Sequence, residues 1–305
     1  MKSRRFISDI GEFGLIDRIA KEIKVDASVI KGIGDDAAVI KFTNDRYLLF
    51  TTDMLIEDVH FTLREATAFQ IGWKALGVVI SDIAAMGGLP KYATVSLGLP
   101  KGLSIKFIDQ FYKGMRELSA KFKINIVGGD TNRSKKIIVD VALLGEVEKR
   151  CLVLRSGAKV GDIIFVSGTL GGSLKEKHLT FLPRLEEARY LVENYKLNSM
   201  IDLSDGLSSD LNQIAKASDV GAIIYEELIP ISKQAHSLEA ALNDGEDFEL
   251  LFSLSLNGAR RLSSSWKMKV PLVQIGEIVK KNLGLRVITK AGRERRLVPK
   301  GFRHF

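Results

Sequence analysis

Apolar residues recur at helical spacing through 67–86, where Ile71, Ala75 and Val78 share one face, and the pattern closes at Gly87-Gly88 with Pro90 beyond. The spacing predicts a helix over 67–86. Shorter β-rich runs flank it at 38–42, 46–52 and 124–127, and a further strand is expected over 137–144. On this pattern Asp53 and the turn Gly128-Gly129-Asp130 fall just past strand ends. A charged, turn-rich stretch follows at 146–160. The alternation then resumes with a strand at 163–167, a glycine-rich loop at 168–172, a helix at 184–195, a strand at 199–203 and a helix at 207–216. Strands at 222–225, 248–254 and 274–279 and a helix near 258–263 complete it. Strands alternating with helices in both halves predict an α/β protein of two domains, 1–148 and 149–305.

Composition agrees with that division. At 305 residues, 46% hydrophobic and 27% charged, the chain has ordinary globular usage and is too long for one typical core. Apolar runs such as 75–80 are broken by charge or glycine before the roughly 18 to 20 residues that a bilayer span needs, so no membrane contact is expected. Lys2, Arg4 and Arg5 resemble the start of a signal peptide, but Asp9, Glu12 and Asp17 interrupt the apolar region it would require, which points to the cytoplasm. The single cysteine, Cys151, has no partner for an internal disulfide and reads as a small buried hydrophobe. The net charge of +8 is spread along the chain rather than blocked. That argues against nucleic acid and suits attraction of small phosphorylated anions.

Several chemistries drop out on motif grounds. No phosphate-binding GxxxxGK loop occurs. Gly32-Ile33-Gly34-Asp35-Asp36-Ala37 loosely matches a dinucleotide fingerprint, yet it precedes a strand instead of following one. His60, His178, His236 and His304 form no zinc-type pair, and no serine sits in a GxSxG elbow. What remains is acidic. Stepping back from Asp82 by four, seven and eleven residues reaches Val78, Ala75 and Ile71, so this carboxylate lies on the apolar face and requires a partner. Asp36, Asp53, Asp130, Asp202 and Asp205 occupy turns, where any one alone could simply cap the backbone. Together they mean more. If they converge, each pair about 4 Å apart repels by roughly 4 kcal/mol at an effective dielectric of about 20, and bound cations relieve that. All-oxygen ligands beside Thr51 and Thr52 select a hard ion such as Mg²⁺, which shares phosphate oxygens with its substrate.

Ten short segments in order carry a family resemblance. They are Gly11-Glu12-Phe13-Gly14-Leu15-Ile16, Gly32-Ile33-Gly34-Asp35-Asp36-Ala37-Ala38, Thr51-Thr52-Asp53, Asp58-Val59-His60-Phe61, Ser81-Asp82-Ile83-Ala84-Ala85-Met86-Gly87, Gly128-Gly129-Asp130-Thr131, Arg155-Ser156-Gly157-Ala158, Ile201-Asp202-Leu203-Ser204-Asp205-Gly206, Gly245-Glu246-Asp247-Phe248-Glu249-Leu250 and Lys300-Gly301-Phe302-Arg303-His304-Phe305. The set resembles the thiamine-monophosphate kinase family. The resemblance implies an aminoimidazole ribonucleotide synthetase-like fold, with N-terminal domains pairing in a homodimer to form a β-barrel, a C-terminal α/β sandwich, and ATP in the groove between domains. It implies Mg²⁺ ligation by Asp36, Thr51, Thr52, Asp53, Asp82, Asp130, Asp202 and Asp205. It places Tyr112, Gly129, Asp130, Arg155 and Ser204 at ATP, and His60, Glu246 and Phe302 at thiamine monophosphate. The expected reaction is in-line transfer of the γ-phosphate to the phosphate of thiamine monophosphate, with no covalent nucleophile and no strong base.

The segment 174–198 is shorter than the family pattern and only loosely resembles its His-Leu-Arg-Pro stretch, and Asn243-Asp244 stands where a double glycine is more usual before Glu246. A selenophosphate synthetase would carry a reactive N-terminal cysteine, and a hydrogenase-maturation protein a C-terminal one. This chain has neither, having Cys151 alone and His304-Phe305 at its end. A purine-pathway synthetase and a non-catalytic phosphate-ligand binder are the remaining alternatives.

Overall fold

The computed structural model describes residues 6–302 and 304, so Lys2, Arg4 and Arg5, and the Arg303 and Phe305 of the last motif, lie outside the described residues. Helix α1 (Gly11–Glu22) buries none of its residues. Strands β1 (Val29–Lys31), β2 (Ala38–Lys41), β3 (Arg46–Ile56), β4 (Leu89–Leu99), β5 (Asn125–Arg133) and β6 (Ile138–Glu148) form one sheet in the order β1-β2-β3-β6-β4-β5. Its neighbours are antiparallel except β4 and β5, which are joined by the crossover helix α3 (Ile105–Phe122) and therefore run parallel.

Helix α2 (Ala68–Ala85) organises the molecule. Thr67 accepts from the Gln70 amide while the Gln70 side chain accepts from the Thr67 amide, a reciprocal cap that fixes where the helix starts. Gly72 and Gly114 let α2 and α3 approach at backbone distance. A β-carbon on Gly72 would lie 2.0 Å from the Phe111 carbonyl oxygen, and one on Gly114 would lie 2.0 Å from that of Phe69.

The second sheet holds β7 (Ile163–Ser167), β8 (Leu197–Asp202), β9 (Gly221–Tyr225), β10 (Leu250–Leu254), β11 (Leu272–Val279), β12 (Leu285–Ile288) and β13 (Glu294–Arg296), ordered β13-β12-β9-β11-β7-β10-β8. Helices α4 (Leu185–Asn194), α5 (Leu207–Ser218), α6 (Leu238–Asn243) and α7 (Leu256–Ser265) accompany it. Every residue of β10 is buried, and alternate side chains enter different cores. Leu250, Phe252 and Leu254 join a cluster that also contains Leu49, Ile80 and Val141 of the first sheet and α2, whereas Leu251 joins Leu211 of α5 and Ile224 of β9. One core is thus continuous across the two halves, and α2 packs against β3 and β6 on one side and β8 and α4 on the other.

Two readings of the sequence need correction. Asp53 and Asp130 lie inside β3 and β5 rather than past their ends, because pairing continues: Asp53 opposes Val141 of β6 and Asp130 opposes Ser96 of β4. An acidic residue after a β-rich run suggests a turn, but tertiary pairing overrides it. Second, α2 is long and apolar enough to cross a membrane by length and composition alone. Its apolarity has another cause, since most of the helix is buried inside this fold. Cys151 is buried and free.

Candidate active site

The packing of α2 between the sheets brings carboxylates from both halves to one point. Asp36 comes from the loop entering β2, Asp82 from the last turn of α2 and Asp202 from the end of β8, and each offers an oxygen within 4.8 Å of the others. Thr51 faces the same way from β3 and donates to Asp82 Oδ2 at 2.5 Å, while Ser81 donates to Asp202 Oδ2 at 2.6 Å. Arg155 donates from Nη2 at 2.5 Å and from Nε at 3.2 Å to Asp36 Oδ1, supplying the cluster with a cation.

Burial and mutual repulsion govern the electrostatics. Burial, reinforced by Asp36, pushes the Asp202 carboxyl up to about 8. Asp53 is pushed up to about 7 by burial, then by Asp140, Asp205 and Asp36. Asp82 rises well above the usual carboxylate range through burial, then Asp53 and Asp202. Burial also raises Asp36, against the opposing pull of Arg155. Such a group of acids either keeps protons or holds cations. The donor set is all oxygen, and the buried Asp36 Oδ2 has no hydrogen-bond partner among the described residues, so the site fits a hard divalent ion.

Not every predicted ligand joins this cluster. Registers place Thr52 and Asp130 on the other face of the first sheet, where Asp140, Ser96 and Asp130 stand in one row across β6, β4 and β5. Thr52 Oγ1 donates to Asp140 Oδ1 at 3.1 Å, and Asp130 accepts from the Thr131 amide and the Asn132 side chain. Asp53 is electrostatically coupled to both groups, through Asp140 on one side and Asp36 and Asp82 on the other. Gly129 has a packing reason of its own, since a β-carbon there would lie 1.8 Å from the Val95 carbonyl oxygen. Tyr112 lies on α3 as expected, half-buried, with its ring edge-on to Phe111 at 5.3 Å. Ser204 and Asp205 occupy the turn between β8 and α5, and the Asp205 carbonyl accepts from the Phe302 amide at 3.1 Å, docking the C-terminal segment there.

A second group lies farther toward the N-terminus of α2. Glu246 sits at φ 53°, a left-handed conformation unusual for a side-chain-bearing residue, with its amide bonded to the Ser204 carbonyl at 2.7 Å. Such strain commonly accompanies a functional position. His60 accepts the Ile56 amide at Nδ1, 3.0 Å away, which leaves its proton on Nε2. Its ring centroid lies 6.5 Å from that of Phe302 and 5.1 Å from that of His304. The three residues expected to face thiamine monophosphate therefore gather from both halves. The segment 174–198 packs on α2, with Trp73 donating to the Phe181 carbonyl at 2.7 Å and Phe181 stacked on Phe248 at 4.0 Å.

Sequence reasoning missed Lys74, Asp140 and Asp210. Asp210, buried in the first turn of α5, accepts the Asp205 and Gly206 amides, and burial with repulsion from Asp205 pushes its carboxyl well up. Helical spacing could have found Lys74, eight residues before Asp82 on the same apolar helix. Only the strand register reveals Asp140.

Residues 34–147 match the model for the AIR synthase related protein N-terminal domain and 159–288 the model for its C-terminal domain. The thiamine-monophosphate kinase of Aquifex aeolicus is 35% identical over 98% of this chain and 99% of its own length. That of Bacillus subtilis is 36% identical over 96% and 99%. A solved complex of AaThiL with AMPPCP and TMP superposes with a TM-score of 0.85 at 34% identity, covering 100% of both chains. The hydrogenase maturation protein HypE, at 20% identity and a TM-score of 0.71 over 87% of this chain and 88% of its own, shares the fold.

Proposed function

Since this chain belongs to the thiamine-monophosphate kinase family and phosphorylates thiamine monophosphate with ATP as donor, we propose that its acidic cluster holds Mg²⁺ for that transfer. The observation that carries the reading is the meeting of Asp36, Asp82 and Asp202 from both halves within 4.8 Å. Those three, with Thr51 and Asp53, would form one set of ligands. Thr52 and Asp130, expected from the family resemblance as further ligands, present their side chains on the other sheet face, and Asp205 would approach from the second half. When bound, the ions neutralise the two polyanions and stabilise charge spread over the phosphoryl group in transfer.

The protein's own groups do the rest. Arg155, anchored on Asp36 through two nitrogens, keeps a third as donor to a nucleotide phosphate. Gly129 keeps the backbone of β5 close to β4, and Ser204 and Tyr112 border the nucleotide. His60 offers Nε2–H, Glu246 a carboxylate and Phe302 a ring to the thiamine end of the acceptor. The acceptor phosphate oxygen is already anionic near neutral pH, so no side chain has to remove a proton. Positioning is the main task.

We infer a domain boundary near 148, where β6 ends, and a cytoplasmic location. A homodimer is supported by the outer face of the first sheet, where Phe50, Met54 and Tyr92 stand roughly half exposed on a continuous surface. Pairing of two such faces would close the sheets into a barrel. The direct test of function is incubation with ATP, Mg²⁺ and thiamine monophosphate. Thiamine diphosphate and ADP should appear in equal amounts. ADP without thiamine diphosphate, or transfer only to another acceptor, would overturn the reading.

A further inference from the structure

We infer that Lys74 is a positioning residue for the acceptor: its ammonium group ties Glu246 of the second half to the His60 loop of the first and so fixes the spacing of two side chains that face thiamine monophosphate. Lys74 lies in the middle of α2 and is 0% exposed, which is rare for lysine. Its three donors meet three acceptors, Glu246 Oε1 and Oε2 at 2.7 Å each and the His60 carbonyl oxygen at 2.8 Å. No donor remains for a ligand, so Lys74 acts through its partners and not on the substrate itself.

Stability alone gives little reason for this arrangement. A buried ion pair recovers its desolvation cost only with excellent geometry, and an apolar side chain on this apolar helix would fill the same space. What the pair provides is orientation. Glu246 has its backbone held by Ser204 and both carboxylate oxygens held by Lys74. His60 is held at its ring by the Ile56 amide and at its carbonyl by the same ammonium. Beside them, His178 places Nε2 at 3.9 Å from Glu246 Oε2 while its Nδ1 bonds the Ser173 carbonyl. Lys74 and Glu246 are 172 residues apart, so the tie forms only when the two halves are packed together.

The inference rests on the reading that His60 and Glu246 contact the acceptor, and the experiment separates the two. Lys74→Met should raise KM for thiamine monophosphate by about tenfold and leave KM for ATP within about twofold, the signature of a lost contribution to acceptor binding alone. Glu246→Gln should show the same split. The double variant should be no worse than Glu246→Gln, because both changes break one unit. If Lys74→Met fails to give a cooperative melt, Lys74→Arg keeps the charge, displaces the carboxylate and should give the same selective rise. An unchanged KM for thiamine monophosphate in the Lys74 variants, an equal rise in both KM values, or full additivity with Glu246→Gln would overturn the positioning role. An unchanged KM in Glu246→Gln would instead remove the acceptor placement, and this inference with it.

Discussion

Asp82 concentrates the problem that the site must solve. It ends an apolar helix, takes a hydrogen bond from Thr51, and lies within 4.8 Å of two further carboxylates. Replacing it with asparagine removes a ligand charge but keeps the shape, so turnover should fall by on the order of 100-fold while a thermal melt stays cooperative and near the wild-type midpoint. Near-normal rates at saturating Mg²⁺ would refute its role. The raised carboxyls also give a signed pH effect. Asp53 and Asp202, pushed to about 7 and about 8, bind protons in the folded state that the unfolded chain has released above about 4. Their contribution to stability is therefore full at low pH and is lost as pH rises through 7 and 8. Cations replace those protons, so added Mg²⁺ should raise the melting temperature more at pH 8 than at pH 6. Equal shifts at both would count against the cluster as the binding site. Asp82 was legible in the sequence because helical periodicity is local. Lys74 obeys the same periodicity at a larger angular offset, and its significance appears only with Glu246, a partner that no local pattern can supply.

At the scale of elements, α2 was readable from its apolar face and its glycine stop, which lie within one stretch of chain, while its reciprocal Thr67–Gln70 cap came from the structure. The ends of β3 and β5 were not, since what continues them past Asp53 and through Asp130 is the register against β6 and β4. Nor could local pattern show that Thr52 and Asp130 take a different sheet face from Thr51, because face depends on pairing as well as on alternation. The α2–α3 contact carries its own prediction. A methyl group at Gly72 would meet the Phe111 carbonyl, so Gly72→Ala should destabilise the fold by roughly 1 to 3 kcal/mol, measured by denaturant unfolding. An unchanged midpoint would show that the helices can separate without cost.

For the whole molecule, the two halves share a core and complete each other's chemistry, with Asp82 and His60 from one and Asp202 and Glu246 from the other. The proposed dimer rests on the outer face of the first sheet. Sedimentation should show a dimer, and Phe50→Asp, which places a charge in the middle of that face, should shift it to monomer; a monomeric wild-type protein would remove the barrel interface. The central claim, however, is that carboxylates from both halves gather divalent cations where phosphate is transferred. Diffraction at the manganese absorption edge, from crystals grown with Mn²⁺ and a non-hydrolysable ATP analogue, tests it most directly. The account predicts an anomalous peak bounded by Asp36, Asp82 and Asp202. Bound nucleotide with no metal peak at those three carboxylates would contradict it.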